Sequence, residues 1–214
     1  MRLDLTCTTP RRGARAVFRA LAIFLLAGVL PAPAPAQAEL PMLPFGEAGA
    51  WQAIGRVNAG GFKSRRMCSG TLIAPARVLT AAHCLLRRDG TPLAMDRLRF
   101  VAGLDRGEYA GLARVAGVAL HPEALSAGRV DPRHDLAVLH LTEPLEGIAP
   151  IRLGRRGSGP VALIGYHRGR PERLSAGFEC PAHRSGGLVR VACPVRAGNS
   201  GGPVLVRAGE GWRV

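Results

Sequence analysis

Three short segments of the chain carry side chains that together could perform acyl-transfer chemistry. His83 follows Thr-Ala-Ala, Asp135 precedes the apolar run Leu-Ala-Val-Leu, and Ser200 lies within Gly-Asn-Ser-Gly-Gly-Pro. A serine hydroxyl is a weak nucleophile at neutral pH and needs an adjacent base, and histidine suits that role because it titrates close to neutrality. A carboxylate beside the imidazole fixes its tautomer and stabilises the imidazolium. The segments therefore predict that Ser200 attacks, His83 transfers the proton and Asp135 orients His83.

Glycines surround the predicted nucleophile. Gly198, Gly201 and Gly202 lie within two residues of Ser200, and the absence of side chains there lets peptide N–H groups approach a reacting carbonyl closely. An ordinary glycine-rich turn is the alternative interpretation. The presence of a suitable histidine and aspartate elsewhere in the chain favours the catalytic one.

Short strands must position these residues, because the chain after its N-terminal segment shows no long amphipathic helix and no repeat of fixed period. Short apolar or alternating runs recur instead, punctuated by Gly, Pro and Asp, which is typical of an all-β sandwich or barrel. A stretch over 143–150 with two prolines and a glycine interrupts the runs and predicts a connection between two small β domains. The runs are Trp51–Val57, Cys68–Ile73, Val78–Ala82, Leu98–Ala102, Arg114–Leu120, Leu136–Leu141, Val161–Gly165, Leu188–Cys193 and Pro203–Val206.

The first 38 residues have the pattern of an export signal. Five arginines precede an apolar stretch from Ala20 to Leu30, and Ala36-Gln37-Ala38 provides a cleavage site of the A-x-A type. A membrane anchor is the alternative, but the stretch is shorter than the ~20 residues that a span requires, and prolines follow it at once. We expect cleavage after Ala38, a secreted or periplasmic protein without a membrane span, and an irregular lead-in over 39–50.

Four cysteines remain after that cleavage: Cys68, Cys84, Cys180 and Cys193. An even number in an exported chain predicts two disulfides. Pairing of sequence neighbours would close loops of 16 and 13 residues, each adding about 3 kcal/mol by restricting the unfolded chain. A zinc site built from Cys180, His183 and Cys193 is the alternative, and the sequence offers it no evident fourth ligand.

The chain is strongly basic. Its formal net charge is +14, and +10 remains once residues 1–38 are removed. A basic surface attracts anionic partners, yet the arginines are scattered along the chain and are not interleaved with aromatic residues. We therefore expect a solvated basic surface, no specific nucleic-acid partner, and a monomer.

The segments around His83, Asp135 and Ser200 resemble the motifs of the trypsin-like, chymotrypsin-fold serine endopeptidases, in particular a bacterial secreted branch related to the glutamyl endopeptidases. The resemblance covers the chain from about residue 51 to its end. It implies two packed six-stranded antiparallel β-barrels, over 51–146 and 147–214, with the active site in the cleft between them.

The same resemblance implies roles for individual groups. The peptide N–H groups of Gly198 and Ser200 would form the oxyanion hole, and peptide bonds in protein or peptide substrates would be hydrolysed through an acyl-enzyme. Neither a metal nor an organic cofactor is implied. In that family the strands after the serine carry the walls of the substrate pocket and the backbone edge that pairs with peptide substrates.

Three features depart from the pattern of that family. Asn199 stands where activation by an inserted N-terminus requires an aspartate, so we expect no such activation. Pro194 stands where an acidic residue would select arginine or lysine at the cleavage site. Only 14 residues follow Ser200, whereas the relatives continue through further strands, so the second barrel is expected to be truncated.

Two other functions stay open on these observations. The chain could be a non-catalytic, protease-like module that binds anionic partners through its basic surface, or an inactive fragment of a protease. The remaining histidines show no pattern in sequence that indicates catalysis or metal binding; they are His121, His134, His140, His167 and His183.

Overall fold

The structure, a computed structural model, describes residues 39–44, 46–60, 66–87, 89–155 and 159–214. The predicted signal over 1–38 lies outside these residues. The described chain consists of β-strands and loops with three short 3₁₀ turns, at Ala48–Trp51, Ala82–Leu85 and Met95–Arg97. Within it, no helix has the length and apolar character needed to cross a membrane. The all-β fold class predicted from the sequence is confirmed.

Six antiparallel strands from the first half of the chain close into a barrel. They are β1 (Ile54–Ala59), β2 (Met67–Ala74), β3 (Arg77–Thr80), β4 (Leu98–Ala102), β5 (Gly111–Leu120) and β8 (Ala137–Leu141), and their spatial order is β1-β2-β3-β8-β5-β4. Two short strands, β6 (Leu125–Ser126) and β7 (Arg129–Val130), form a small hairpin in the connection between β5 and β8. The closed barrel agrees with the first of the two expected barrels.

The barrel interior accounts for the short apolar runs in the sequence. Phe100 on β4 is completely buried, together with Leu72 on β2 and Leu139 on β8. Gly55 on β1 permits this packing, because a Cβ at that position would lie 2.4 Å from the ring of Phe100. Along β8 the buried residues alternate with less buried ones, which is the period of two expected for a strand that packs one face against a core.

The second half of the chain forms an open sheet. Four antiparallel strands lie in the order β10-β9-β13-β14, namely β9 (Val161–His167), β10 (Arg170–Cys180), β13 (Val204–Ala208) and β14 (Gly211–Arg213). A separate hairpin contains β11 (Ala182–Ser185) and β12 (Leu188–Val191). No strand of the described residues closes this sheet into a second barrel, which agrees with the incomplete second barrel expected from the sequence.

The lead-in before the barrel is held along β10. Met42 forms a β-bridge with Ser175, and the N–H of Leu43 donates to the carbonyl of Leu174 at 3.0 Å. The side chains of Leu40 and Leu43 are buried. A segment expected to be irregular is therefore anchored by backbone hydrogen bonds and by apolar burial.

Both disulfides predicted for the exported chain are present. Cys68 on β2 is bonded to Cys84 in the turn after β3, and Cys180 at the end of β10 is bonded to Cys193 after β12. These are the sequence neighbours, 16 and 13 residues apart. The alternative zinc site built from Cys180, His183 and Cys193 is wrong, because zinc binds thiolates and both sulfurs are used in the disulfide.

Tyr166 on β9 connects the two halves of the chain through a side-chain hydrogen bond, and the contribution of that bond to stability can be measured. Its hydroxyl is completely buried and donates to the carbonyl of Leu104 at 2.9 Å. Tyr166→Phe would leave that carbonyl without its partner, so we expect the free energy of unfolding in urea to fall by about 1–2 kcal/mol. Tyr109→Phe is the matched control, because the Tyr109 side chain is 53% exposed. Equal stability of the two variants would contradict this role.

Candidate active site

The barrel register brings His83 and Asp135 together from distant parts of the sequence. Residue Thr80 at the end of β3 pairs with Ala137 at the start of β8. The 3₁₀ turn that contains His83 follows β3, and Asp135 lies two residues before β8. Antiparallel pairing of the two strands therefore places the two side chains on the same end of the barrel.

Two hydrogen bonds join the residues. Nδ1 of His83 lies 2.6 Å from Oδ2 of Asp135, and the backbone N–H of His83 donates to Oδ1 at 2.8 Å. The carboxylate is thus held at both oxygens, and the imidazole ring is held at Nδ1. Nε2 of His83 is left on the opposite side of the ring, 3.8 Å from Sγ of Cys84. The His83 side chain is 44% exposed, so that edge is accessible to a substrate.

The same contacts shift both titrations. The hydrogen bond to Asp135 raises the pKa of His83, and this effect outweighs burial, which acts in the opposite direction. Burial tends to raise the pKa of Asp135, but the hydrogen bonds from the side chain and backbone of His83 together hold that pKa below its usual value. Both shifts favour the ion pair that forms when His83 accepts a proton.

The loop that carries Ser200 requires glycine at two positions. Gly198 has a φ of +112° and Gly201 a φ of +76°, a region that other residues rarely adopt. A Cβ at Gly198 would lie 2.7 Å from the Cα of His167, and one at Gly201 would lie 2.2 Å from Oγ1 of Thr80. The glycines around the predicted nucleophile are therefore needed for close approach to β3 and β9, and an ordinary exposed turn does not account for them.

Hydrogen bonds to carbonyl groups orient two peptides of this loop, Ala197–Gly198 and Asn199–Ser200. The carbonyl of Ala197 accepts the N–H of Arg168 at 2.9 Å, and the carbonyl of Asn199 accepts the N–H of Gly202 at 2.9 Å. In a trans peptide the N–H points away from its carbonyl, so the N–H groups of Gly198 and Ser200 face the other way. Neither has an acceptor within the described chain. Two donors are thus oriented and unused next to Ser200.

One cavity contains these groups. Its volume is about 200 Å³, and its described lining includes both His83 and Ser200. The other lining residues are Val57, Arg66, Met67, Cys68, Cys84, Arg168, Ala197 and Gly198. A larger cavity of about 450 Å³ shares Arg66, but its described lining contains no serine, cysteine or histidine. The smaller cavity is therefore the candidate active site, because an imidazole and a serine hydroxyl line it together with Gly198.

Ser69 on β2 holds the loop that carries Ser200, and the sequence did not reveal it. Its hydroxyl donates to the carbonyl of Gly198 at 2.9 Å and accepts the N–H of Tyr166 at 2.8 Å. Its own N–H donates to the carbonyl of Ser200 at 2.8 Å. The sequence shows only a serine within an apolar strand run. That feature indicates a structural role once the complete burial of Ser69 is known.

Asn199 has a structural use that explains why an amide stands next to the nucleophile. Its Oδ1 accepts the N–H of Arg196 at 2.8 Å, and its Nδ2 donates to the carbonyl of Tyr166 at 3.1 Å. An ionised aspartate could accept but could not donate. Asn199 therefore ties the nucleophile loop to β9 without any charged partner.

Glu39 in the lead-in holds the far side of the same loop, and sequence reasoning missed it as well. Its Oε1 forms an ion pair with Arg170 on β10, and its Oε2 lies 3.3 Å from Nη1 of Arg196. Arg170 also donates to the carbonyl of Leu40 at 3.2 Å. One carboxylate thus bridges two arginines, and through Arg196 it reaches the turn that Asn199 completes.

Comparison with known proteins gives a consistent result. The family model described as a trypsin-like peptidase domain matches residues 68–211. The cercarial protease of Schistosoma mansoni is 27% identical over 171 residues, and bovine (Bos taurus) coagulation factor XII is 40% identical over 87 residues. These matches cover 69% and 39% of this chain, but the chain spans only 61% and 13% of the two relatives.

A solved structure supports the fold. The thermostable serine protease AL20 from an extremophilic microorganism superimposes with a TM-score of 0.62 at 24% identity, over 76% of this chain and 82% of that one. At that identity the likeness concerns the fold alone.

The Glu39 bridge generates a prediction about the nucleophile loop. Glu39→Gln keeps the size of the side chain but removes the charge that offsets Arg170 and Arg196. We expect the turn over 196–202 to open more often, so the amide hydrogens of Asn199 and Gly202 should exchange several-fold faster with deuterium.

Glu143→Gln is the matched control for this measurement, because Glu143 is exposed. It removes a carboxylate of the same type without touching the loop. Unchanged exchange at Asn199 and Gly202 in Glu39→Gln would show that the bridge does not order the turn.

Proposed function

The chain belongs to the trypsin-like peptidase family, and on that premise we propose that it is an exported serine endopeptidase with His83, Asp135 and Ser200 as its catalytic triad. The observation that supports this most directly is the 2.6 Å contact between Nδ1 of His83 and Asp135, beside a cavity that His83 and Ser200 both line. The base is oriented, and the nucleophile lies where the two unused N–H donors are found.

The proposed reaction follows from these positions. Ser200 attacks the substrate carbonyl while Nε2 of His83 takes its proton, and Asp135 stabilises the imidazolium that results. The developing oxyanion is bound by the N–H groups of Gly198 and Ser200, each worth about 3–4 kcal/mol of transition-state stabilisation. His83 then protonates the leaving amine, and water hydrolyses the acyl-enzyme in the reverse sequence. No metal or organic cofactor takes part in the proposed steps.

Export and domain organisation belong to the same proposal. Removal of a signal over 1–38 would leave the lead-in over 39–50, a first domain over 51–146 and a second over 147–214. Two formed disulfides fit a secreted or periplasmic location, because such bonds persist in oxidising compartments. A monomer that acts on proteins or peptides is the simplest form of this proposal.

Substrate charge is the finer part of the proposal. Arg66 and Arg168 line the cavity, and no acidic side chain appears among its described lining residues. The same cavity is lined by His83 and Ser200, so both arginines lie close to the bond that would be cleaved. Acidic side chains next to the cleaved bond would therefore be favoured, because they complement these two positive charges.

A peptide library digested with the protein tests this preference. We expect Asp and Glu to be enriched at the positions next to the cleaved bond, and the enrichment to fall when Arg168 is changed to Gln. The variant Arg129→Gln, at an exposed arginine on β7, is the control and should leave the profile unchanged. A profile without acidic enrichment in the parent protein would contradict the preference and leave the triad proposal intact.

Fluorophosphonate labelling tests the triad itself. The reagent reacts with a serine that has an adjacent base and an oxyanion hole, so we expect labelling of the parent protein and its loss in Ser200→Ala. Ser126→Ala, at an exposed serine on β6, should be labelled at the parental rate. Absence of labelling in a folded parent protein would reject the enzyme and favour the non-catalytic binding module or an inactive fragment.

The pH dependence of labelling follows from the shifted titrations. His83 must be neutral to act as a base, and the hydrogen bond that Nδ1 of His83 donates to Asp135 raises the pKa of His83 above 6.5. We expect the labelling rate to increase with pH through that raised pKa. Asp135→Asn removes the main cause of the increase, so the midpoint should move to lower pH while the maximal rate falls by about 10⁴. A midpoint that stays in place would contradict the proposed role of Asp135.

The same shifts give the sign of the stability contribution. Because the pKa of His83 is raised on folding, its contribution is fully present below about pH 6.5 and is lost as pH rises through the folded pKa. Because the pKa of Asp135 is lowered, its contribution is present above the unfolded value of 3.8 and is lost as pH falls through the folded pKa. The pair therefore stabilises the fold most between these two limits.

A further inference from the structure

A cluster of ligating side chains lies in the connection between β5 and β8, outside the catalytic cavity. Donor atoms of His121, Glu123 and His134 all lie within 4.8 Å of one another. Nε2 of His134 is 3.1 Å from Oε2 of Glu123, and the rings of His121 and His134 stack with centroids 4.7 Å apart. In sequence the two histidines showed no partner pattern; the fold supplies one.

The backbone of this connection is held in place at the positions that carry the cluster. The N–H of His121 donates to the carbonyl of Leu136 at 2.9 Å, and the N–H of Asp131 donates to that of Ala124 at 3.0 Å. The N–H of His134 donates to the carbonyl of Asp131 at 3.0 Å. The Cα positions of the two histidines are thus fixed before any ligand binds, which lowers the entropy cost of binding.

Asp131 occupies the position of an outer partner to His134. Its Oδ2 lies 3.6 Å from Nδ1 of His134, and this nitrogen is buried and makes no hydrogen bond within the described chain. The ring therefore presents Nδ1 to a carboxylate and Nε2 to Glu123. A carboxylate behind one nitrogen of an imidazole whose other nitrogen binds a metal is the usual arrangement in metal sites.

The donor set selects the class of ion. Two imidazole nitrogens and one carboxylate oxygen are the ligands of many zinc sites that keep a fourth position for water. Harder cations such as Mg²⁺ and Ca²⁺ prefer oxygen ligands. Glu123 is 70% exposed on its side chain and His134 is 31% exposed, so an ion and its water can enter from solvent.

Binding requires modest side-chain rotations. Bonds of about 2.0–2.1 Å in a tetrahedral site place neighbouring donors roughly 3.3–3.5 Å apart. The donor atoms of this cluster lie within 4.8 Å of one another, so the side chains must rotate wherever a separation exceeds that distance. The two rings are within 12° of parallel, so one must turn to direct its lone pair to a common point. The N–H of Glu123 would also give up its 3.2 Å bond to Nδ1 of His121, and solvent can replace that bond because Glu123 is exposed.

We propose that His121, Glu123 and His134 bind one zinc-type divalent transition-metal ion, with Asp131 as the outer partner of His134 and water as the fourth ligand. The site adjoins the catalytic residues through the chain, because His134 immediately precedes Asp135. It does not depend on the proposed peptidase activity, since binding needs only the fold of the connection.

Calorimetric titration with Zn²⁺ tests the proposal. The full chain carrying Ser200→Ala is used, so that self-digestion cannot occur, at a pH above 7 because protons compete with metal ions for their ligands. We expect one saturable site with a dissociation constant on the order of micromolar, and a rise in the unfolding midpoint of roughly 5 °C at a hundredfold excess over that constant.

Single substitutions then locate the ion. His121→Ala and His134→Ala should each weaken binding by about tenfold or more, and Asp131→Asn by about tenfold. His140→Ala and His183→Ala, at exposed histidines elsewhere, are the matched controls and should bind as the parent does. The unfolding midpoint without metal reports whether each variant still folds.

The catalytic histidine is the competing site and is tested in the same way. Cys68, His83 and Cys84 also lie within 4.8 Å of one another, but the two sulfurs form a disulfide. His83→Ala should therefore leave Zn²⁺ binding unchanged. The proposal is overturned if no saturable binding is found up to millimolar Zn²⁺, if His121→Ala and His134→Ala bind as the parent does, or if His83→Ala abolishes binding.

Discussion

The hydroxyl of one buried serine joins the parts of the chain that form the candidate site. Ser69 lies on the closed barrel, and its side chain bonds the carbonyl of Gly198 and the N–H of Tyr166 at the same time. Its backbone N–H holds the carbonyl of Ser200, and its carbonyl accepts the hydroxyl of Thr80. Every polar group of this residue is used, and together they connect the barrel, the nucleophile loop and β9. An apolar residue of similar size would keep the backbone bonds but leave the carbonyl of Gly198 and the N–H of Tyr166 without this partner, which costs about 1–3 kcal/mol for each.

The two parts of the candidate site depend on different constraints. His83 and Asp135 are positioned by the β3–β8 register of a closed barrel, so their contact needs no help from the second sheet. The N–H groups of Gly198 and Ser200 depend instead on a loop that is held by its own turn hydrogen bonds and by β9, Ser69 and the lead-in. Loosening of the second sheet or of the lead-in would therefore affect the proposed oxyanion donors before it affects the contact between His83 and Asp135.

Sequence reasoning predicted the features that depend on local patterns and missed those that depend on distant contacts. The short apolar runs predicted an all-β fold, which is confirmed, and the segments around His83, Asp135 and Ser200 each carry a pattern of their own that led to the triad prediction. Glu39 and Arg196 are far apart in the chain, and neither lies in a recognisable motif. His121 and His134 likewise come together only through the hairpin of the connection. Burial and long-range pairing, which one sequence does not contain, decide these cases.

The lead-in contacts the loop that carries Ser200 through the charge of Glu39. Arg170 and Arg196 both lie against Glu39, and without that carboxylate two positive groups would face each other beside the nucleophile loop, where partial burial weakens solvent screening. Asn199 is neutral and cannot compensate them. The charge that orders the loop is thus supplied by a side chain at the start of the described chain, directly after the proposed export cleavage at Ala38. Cleavage a few residues further along would remove Glu39 and leave both arginines without it, so the position of processing and the order of the nucleophile loop are physically connected.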